Sequence, residues 1–248
     1  MKKTILFTTA LIVFALLSGC GTKASKEDVI NGAFKKPINS FDAEMKTEFE
    51  ISANGQKSNQ TIDMDIKYLD KPFITHLVMD TIDGEMELYL DKEYAYIDSG
   101  DSTWMKTPTD SVPEFKDLAS DDSVKEDLEN IKKFEELFEL EEIKDGYNLK
   151  VNLDKTSSQK EKDLVLKMLD GNMGEEKPDS IKINKFDYTL TLDKEYNIKK
   201  VVTDASIKME KDGQSGDVKV KLNADYKNMN SVKSFSIPED VKANAVES

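Results

Sequence analysis

The chain has 248 residues, with 49 acidic side chains against 35 basic ones and a formal charge of −14. Every basic residue is lysine, so the chain lacks the basic footprint that nucleic-acid binding needs and the guanidinium fork that clamps phosphates. One cysteine rules out an internal disulfide, and with one histidine little is left from which to build His-rich metal sites or Ser-His and Cys-His catalysis.

The first elements in chain order are a short basic start, Met1–Lys3, and a nearly continuous apolar run from Thr4 to Leu17. That run is shorter than the roughly 20 residues of a spanning helix but suits a secretory signal. It closes on Leu17-Ser18-Gly19-Cys20. This tetrapeptide resembles the lipobox of bacterial lipoproteins, and the resemblance implies cleavage before Cys20 and a diacylglycerol on its thiol. Two acyl chains make a stable anchor. Loss of Met1–Gly19 removes Lys2 and Lys3 and takes the charge from −14 to −16; attachment is then expected through the lipid and not through a basic surface. Residues 20–27 read as the lipidated cysteine and its tether, and 28–248 as a single domain.

The mature chain is dominated by period-two alternation, which puts apolar and polar residues on opposite faces of a strand. Phe41, Ala43, Met45, Thr47, Phe49 and Ile51 alternate with charged residues up to Asn54-Gly55, a hairpin turn. Ile62–Tyr68, Phe73–Ile82, the turn Asp83-Gly84, Met86–Leu90, Tyr94–Asp98 and Thr103–Lys106 continue a meander of strands. Between Thr109 and Leu140 the period becomes helical, with Val124, Leu128, Ile131, Phe134, Leu137 and Phe138 on one side. A hairpin follows, Leu140–Ile143 and Tyr147–Leu153. Ser158 to Glu161 then resembles a capping box opening a second helix, with Leu164, Val165, Met168 and Leu169, which stops near Gly171. Ile181–Asp193, Ile198–Met209 and Val218–Tyr226 are long strands, and 228–248 is a tail with one apolar cluster, Phe235 to Pro238. The expected fold is α+β and mainly antiparallel: one wide, curled sheet of about 11 strands, a half-barrel with helices packed on its concave face.

This order of elements is similar to the LolA, LppX and LprG group of bacterial carriers, in which a half-barrel lidded by helices surrounds a lipid-sized cavity. The final third also resembles a Gram-positive lipoprotein family of unknown function, through Tyr188 to Lys194 and the closing Tyr226…Ile237-Pro238-Glu239. The chain departs from LolA itself, which is not lipidated, so a shuttle role would be tethered. The resemblance implies an apolar pocket suited to acyl chains, and the expected lining is Phe41, Met45, Phe49, Met64, Met86, Leu88, Leu90, Trp104, Phe186, Tyr188, Leu190 and Val220. If the helices fill the concavity instead, these residues are plain core.

Other candidates read as structural. His76 has no second histidine or cysteine partner, and Asp63, Asp65 and the run Glu135–Glu142 lack calcium-loop spacing and read as solvated acidic faces. No nucleophile elbow, phosphate loop or metal cluster appears, so no enzyme, metal or cofactor is expected. The sequence points to a lipoprotein anchored on the extracytoplasmic face of the cell membrane, holding a lipid or other amphiphile. The alternative is an interaction lipoprotein with a filled core that contacts an envelope protein.

Overall fold

The computed structural model describes residues 23–247 apart from 83, 99, 101–102, 121–122, 134 and 171–177, and without the side chains of 123, 125–127 and 167–170. Cys20, the lipobox residues Leu17, Ser18 and Gly19, Phe134, the turn residue Asp83, the side chains of Met168 and Leu169, and the helix stop at Gly171 lie outside the described residues.

Twelve strands form one sheet in the order β12-β6-β5-β4-β3-β2-β1-β11-β10-β9-β8-β7. All neighbours are antiparallel except the short β12 (Val246–Glu247), which runs parallel to β6 (Trp104–Pro108). The sheet is two meanders joined at their ends. β1 (Ser40–Ala53), β2 (Gln56–Leu69), β3 (Ile74–Thr81), β4 (Gly84–Asp91), β5 (Tyr94–Asp98) and β6 form the first; β7 (Glu139–Ile143), β8 (Gly146–Asp154), β9 (Ser180–Asp193), β10 (Ile198–Lys211) and β11 (Gln214–Lys227) form the second. The β1–β11 ladder unites them, from Asp42↔Lys227 to Ala53↔Gly216. The sheet curls without closing, since β12 and β7 remain edges.

Turn chemistry sets the longest pairs. Asn54 and Gly55 (φ 53° and 76°) and Asp212 and Gly213 (φ 51° and 75°) take the left-handed conformations of two-residue hairpin loops. They fix 14-residue strands on either side. Strand β2 begins at Gln56, six residues before the expected start at Ile62, because Gln56–Thr61 is polar on both faces and shows no alternation.

The connection from β6 to β7 leaves one edge of the sheet and arrives at the other, so it must cross a face, and its apolar stripe selects the apolar one. It does so in pieces. The expected helical stretch is a 3₁₀ turn (Thr109–Ser111), α2 (Pro113–Leu118), α3 (Ser123–Lys132) and a second 3₁₀ turn (Glu135–Leu137). Helix α1 (Lys26–Phe34) opens at Ser25 with a capping box and starts inside the stretch read as tether. Helix α4 (Gln159–Asp170) is an excursion between the neighbouring strands β8 and β9.

The largest core cluster joins α1 (Val29, Ile30, Ala33), Leu128 of α3, Phe138 and Val165 of α4 to Leu149, Val151, Ile183, Phe186, Tyr188, Leu190 and Leu192 of β8 and β9. A second cluster puts Phe115 and Ala119, at and just beyond α2, and Val124 against Tyr68, Phe73, Leu88, Leu90 and Ala95. The third lies on the other face. The C-terminal tail, including α5 (Glu239–Asn244), is not loose but a strap, in which Phe235, Ile237 and Val241 cover Ile74, Tyr89, Tyr96 and Trp104. Elsewhere that face is polar and laced with cross-strand ion pairs such as Lys185–Asp204 at 2.7 Å and Lys219–Glu50 at 2.9 Å. Exposed pairs of this kind add little to stability.

Candidate functional site

The registers define what shares a face and a height. On the apolar face, Phe41 sits opposite Tyr68 and Ala43 opposite Tyr226, whose ring meets that of Phe41 edge-on at 5.5 Å, and Met45 sits opposite Met64 and Ala224. Further up the same strands Phe49 sits opposite Val220, which in turn faces Ala205 on β10, and Ile51 sits opposite Val218. The helices cover the lower part of this face, where Leu90, Leu149 and Leu190 have no exposure at all. Towards the β1–β2 and β10–β11 hairpins the cover ends. Among the described residues, Met45, Phe49, Ile51, Ile62, Met64, Met79, Met86, Val218, Val220 and Leu222 neither belong to nor pack against any of the three buried clusters. Most of them are half-buried, and Ile51 is 46% exposed. They form an apolar trough floored by the middle strands, and its strand positions carry apolar and uncharged polar side chains, with Thr47, Gln60, Thr81 and Thr203 among them, as far as Lys211 at the β10 end.

The twelve residues expected to line a pocket therefore divide by place. Met45, Phe49, Met64, Met86 and Val220 lie in the trough. Phe186, Tyr188 and Leu190 are fully packed under α1, α3 and α4; burial pushes the Tyr188 hydroxyl well above the ordinary tyrosine range. Leu88 and Leu90 are buried under α2, and Phe41 packs against the same cluster. Trp104 is on the wrong side of the sheet. Its cross-strand partner is Asp98, while Ile97, one residue away, pairs with Leu88 on the apolar face; the one-residue step flips the side chain to the other face. There Trp104 packs 5.6 Å from Tyr89 beneath the C-terminal strap.

His76 joins the same outer cluster. Its ring stacks on Tyr89 at 4.2 Å, and its Nε2 lies 2.7 Å from a Glu87 carboxylate oxygen. Burial, helped by the Glu87 charge, pushes the Tyr89 hydroxyl up to about 12.

The polar face carries open clefts of about 320 to 570 Å³. The first of these, about 460 Å³, is lined by Glu44, Asp63, Asp65, Asp80, Glu85 and Asp225 with a single lysine, Lys46. Register places Glu44 opposite both Asp65 and Asp225, and Asp80 opposite both Asp63 and Glu85. Like charges directly across a ladder repel.

Two groups of residues escaped the sequence reading. Ile51, Ile62, Met79, Val218 and Leu222 were visible as strand positions, but only pairing brings them to one height. The strap residues Phe235 and Ile237 formed an isolated apolar cluster in a polar tail, and that isolation was the available signal.

A model of a family of unknown function, DUF6612, matches residues 25–246. The chain belongs to that family. No curated protein matches this DUF6612 member. Solved structures similar to it include a LolA superfamily protein from Nitrosomonas europaea, at 10% identity over 88% of this chain and 96% of that one, with a TM-score of 0.25. A DUF1329 family protein from Desulfovibrio piger gives 9% identity over 85% and 94%, with a TM-score of 0.25. A domain assigned to outer membrane lipoprotein sorting in Vibrio parahaemolyticus gives 9% identity over 89% and 98%, with a TM-score of 0.29. Superpositions this loose carry no argument, and the architecture of the DUF6612 chain rests on its own strand order and helix cover.

Proposed function

We propose that this DUF6612 member is a non-enzymatic lipoprotein, anchored through Cys20 on the extracytoplasmic face of the cell membrane, that holds a lipid or other amphiphile in the open trough. The observation that carries the reading is the contrast on a single sheet face: helices pack its lower part, while the upper part stays apolar and uncovered among the described residues. Leaving such a surface in water costs about 25 cal/mol per Å², so an apolar occupant gains free energy by covering it. Strand-borne charge confined to Lys211 at the hairpin end suits acyl chains, and half-buried methionines give a lining that adapts to flexible chains. Anchoring supports the same role by keeping the trough within reach of membrane lipids. No described helix is long and apolar enough to cross a membrane.

A second reading is favoured by the packing of Phe186, Tyr188, Leu190, Leu88 and Leu90. Because helices fill that part of the face, the protein could act through its surface on an envelope protein instead. Native mass spectrometry of residues 21–248 secreted from a Gram-positive host, followed by organic extraction, separates the two. A discrete added mass that extracts as one lipid class is the expected result. A clean mass, with no uptake of supplied membrane lipids, overturns the lipid reading in favour of a protein partner.

A further inference from the structure

One rung of the apolar face has a composition unlike the rest. Met45 pairs with Met64, Met64 with Met79, and Met79 with Met86, so four methionines from β1, β2, β3 and β4 stand side by side on one face. Neighbouring strands are about 4.8 Å apart, so the row spans roughly 14 Å. All four are half-buried, on the floor of the open trough beside the cluster under α2. A methionine side chain is unbranched with three rotatable bonds, long enough for thioethers on neighbouring strands to meet above the middle one. Every consecutive three in the row includes Met64 and Met79.

The opposite face of the same rungs is the acidic cleft. Along each strand the methionines alternate mainly with carboxylates, and of the six in the cleft lining three are ion-paired, Asp63 with Lys46, Glu44 with Lys227 and Asp225 with Lys200, so that the lining stays net negative. Among the described residues no three histidine, cysteine or carboxylate side chains converge to hold an ion. The carboxylates therefore serve as a field, one sheet thickness away, favourable to a positive guest and hostile to an anion. Neutral sulfur ligands above a negative field suit a soft monovalent cation.

We propose that the row of Met45, Met64, Met79 and Met86 binds one copper(I) ion through three of its four thioethers. Silver(I), of the same charge and softness, binds in the same place. The site stands on the methionine register and does not depend on lipid binding.

Thioethers carry no proton to lose, so binding differs from that of thiolate, imidazole or carboxylate ligands, whose affinity falls as they protonate. The experiment is an anaerobic competition titration of the full chain in mild detergent, with copper(I) and a chromophoric chelator, at about pH 5 and about pH 7.5. The expected result is one ion per chain, with affinity changed less than about threefold between the two pH values and an X-ray absorption edge fitted by sulfur neighbours alone. The double variant Met64→Leu/Met79→Leu, near-isosteric and still apolar, should weaken copper(I) binding at least about tenfold while its urea-unfolding midpoint stays near the parent's. Met105→Leu, at an exposed position on another strand, should change nothing. No copper(I) uptake, a nitrogen or oxygen shell, loss of binding at the lower pH, or a double variant that binds as the parent does would each overturn the site. Loss of lipid uptake with copper(I) binding intact would count against the lipid reading alone.

Discussion

The two ends of the apolar face obey the same alternation but meet different fates. Near the β9–β10 turn, Leu190 and Leu149 are sealed beneath α1, α3 and α4; near the β1–β2 hairpin, Phe49 and Ile51 use the same pattern to present apolar surface outward. Period-two alternation therefore says which side of a strand is apolar and nothing about what covers it. Cover is a property of the connections. The β6-to-β7 crossing and the α4 excursion have enough helix for the lower part of the face only, so packed core and open apolar surface separate along the strands.

The sharpest break in that contrast is Leu190→Ala, which empties a site with no exposure. It should cost about 2–5 kcal/mol in urea unfolding, since the rigid surroundings leave a cavity. Ile237→Ala probes the other face, where the strap residue is 2% exposed. It should cost nearly as much, and Trp104 beneath the strap should report it by a red shift in emission as water reaches the indole. Gly32→Ala tests how closely α1 seats. A Cβ there would clash with the Tyr196 ring, so the helix or the ring must shift, at about 1–3 kcal/mol.

Weaker still is a pH effect. The Tyr89 hydroxyl titrates near 12 against an ordinary 10.0, so the folded state holds this proton more tightly than the unfolded one. Its contribution is complete below the unfolded value and is lost as pH rises through the folded value. Phenolate absorbance followed to high pH should show a fraction that ionises late, Tyr188 within it, and Tyr89→Phe should shrink that fraction by one tyrosine. Smallest of all is Ile51→Ser, expected to move stability by no more than about 0.5 kcal/mol. If the trough is the binding surface, that near-silent change, joined with Phe49→Ser, should nonetheless reduce lipid uptake. A large stability loss would show that the surface is core after all.

Much of this was legible from residues alone. Strand β5 has the expected bounds, and most others differ by one or two residues, because alternation between charged and apolar side chains is a strong signal in β1, β9 and β10. The methionine row was not legible, for an identifiable reason. Asp83-Gly84 looks like the loop of the β3–β4 hairpin, yet Thr81 pairs with Gly84, so Gly84 opens β4 and the loop lies one residue earlier. Moving a turn by one residue changes every partner by two, which keeps the faces and scrambles the rungs. The placement of Trp104 failed similarly, since an aromatic at the start of a five-residue strand offers too few alternations to fix its side. The twelfth strand, two residues long, carries no periodic signal at all.

The β1–β11 ladder has a consequence for timing. The two halves of the trough floor, Phe49 and Ile51 on one strand and Val220 and Val218 on the other, come from opposite ends of the folded chain. A polypeptide delivered N-terminus first holds β1 unpaired on that side until nearly the whole sequence has emerged, and non-local closure of this kind is slow. The trough is thus the last part of the sheet to exist. A chain cut short before β11 would keep its earlier hairpins and lack half of the trough floor.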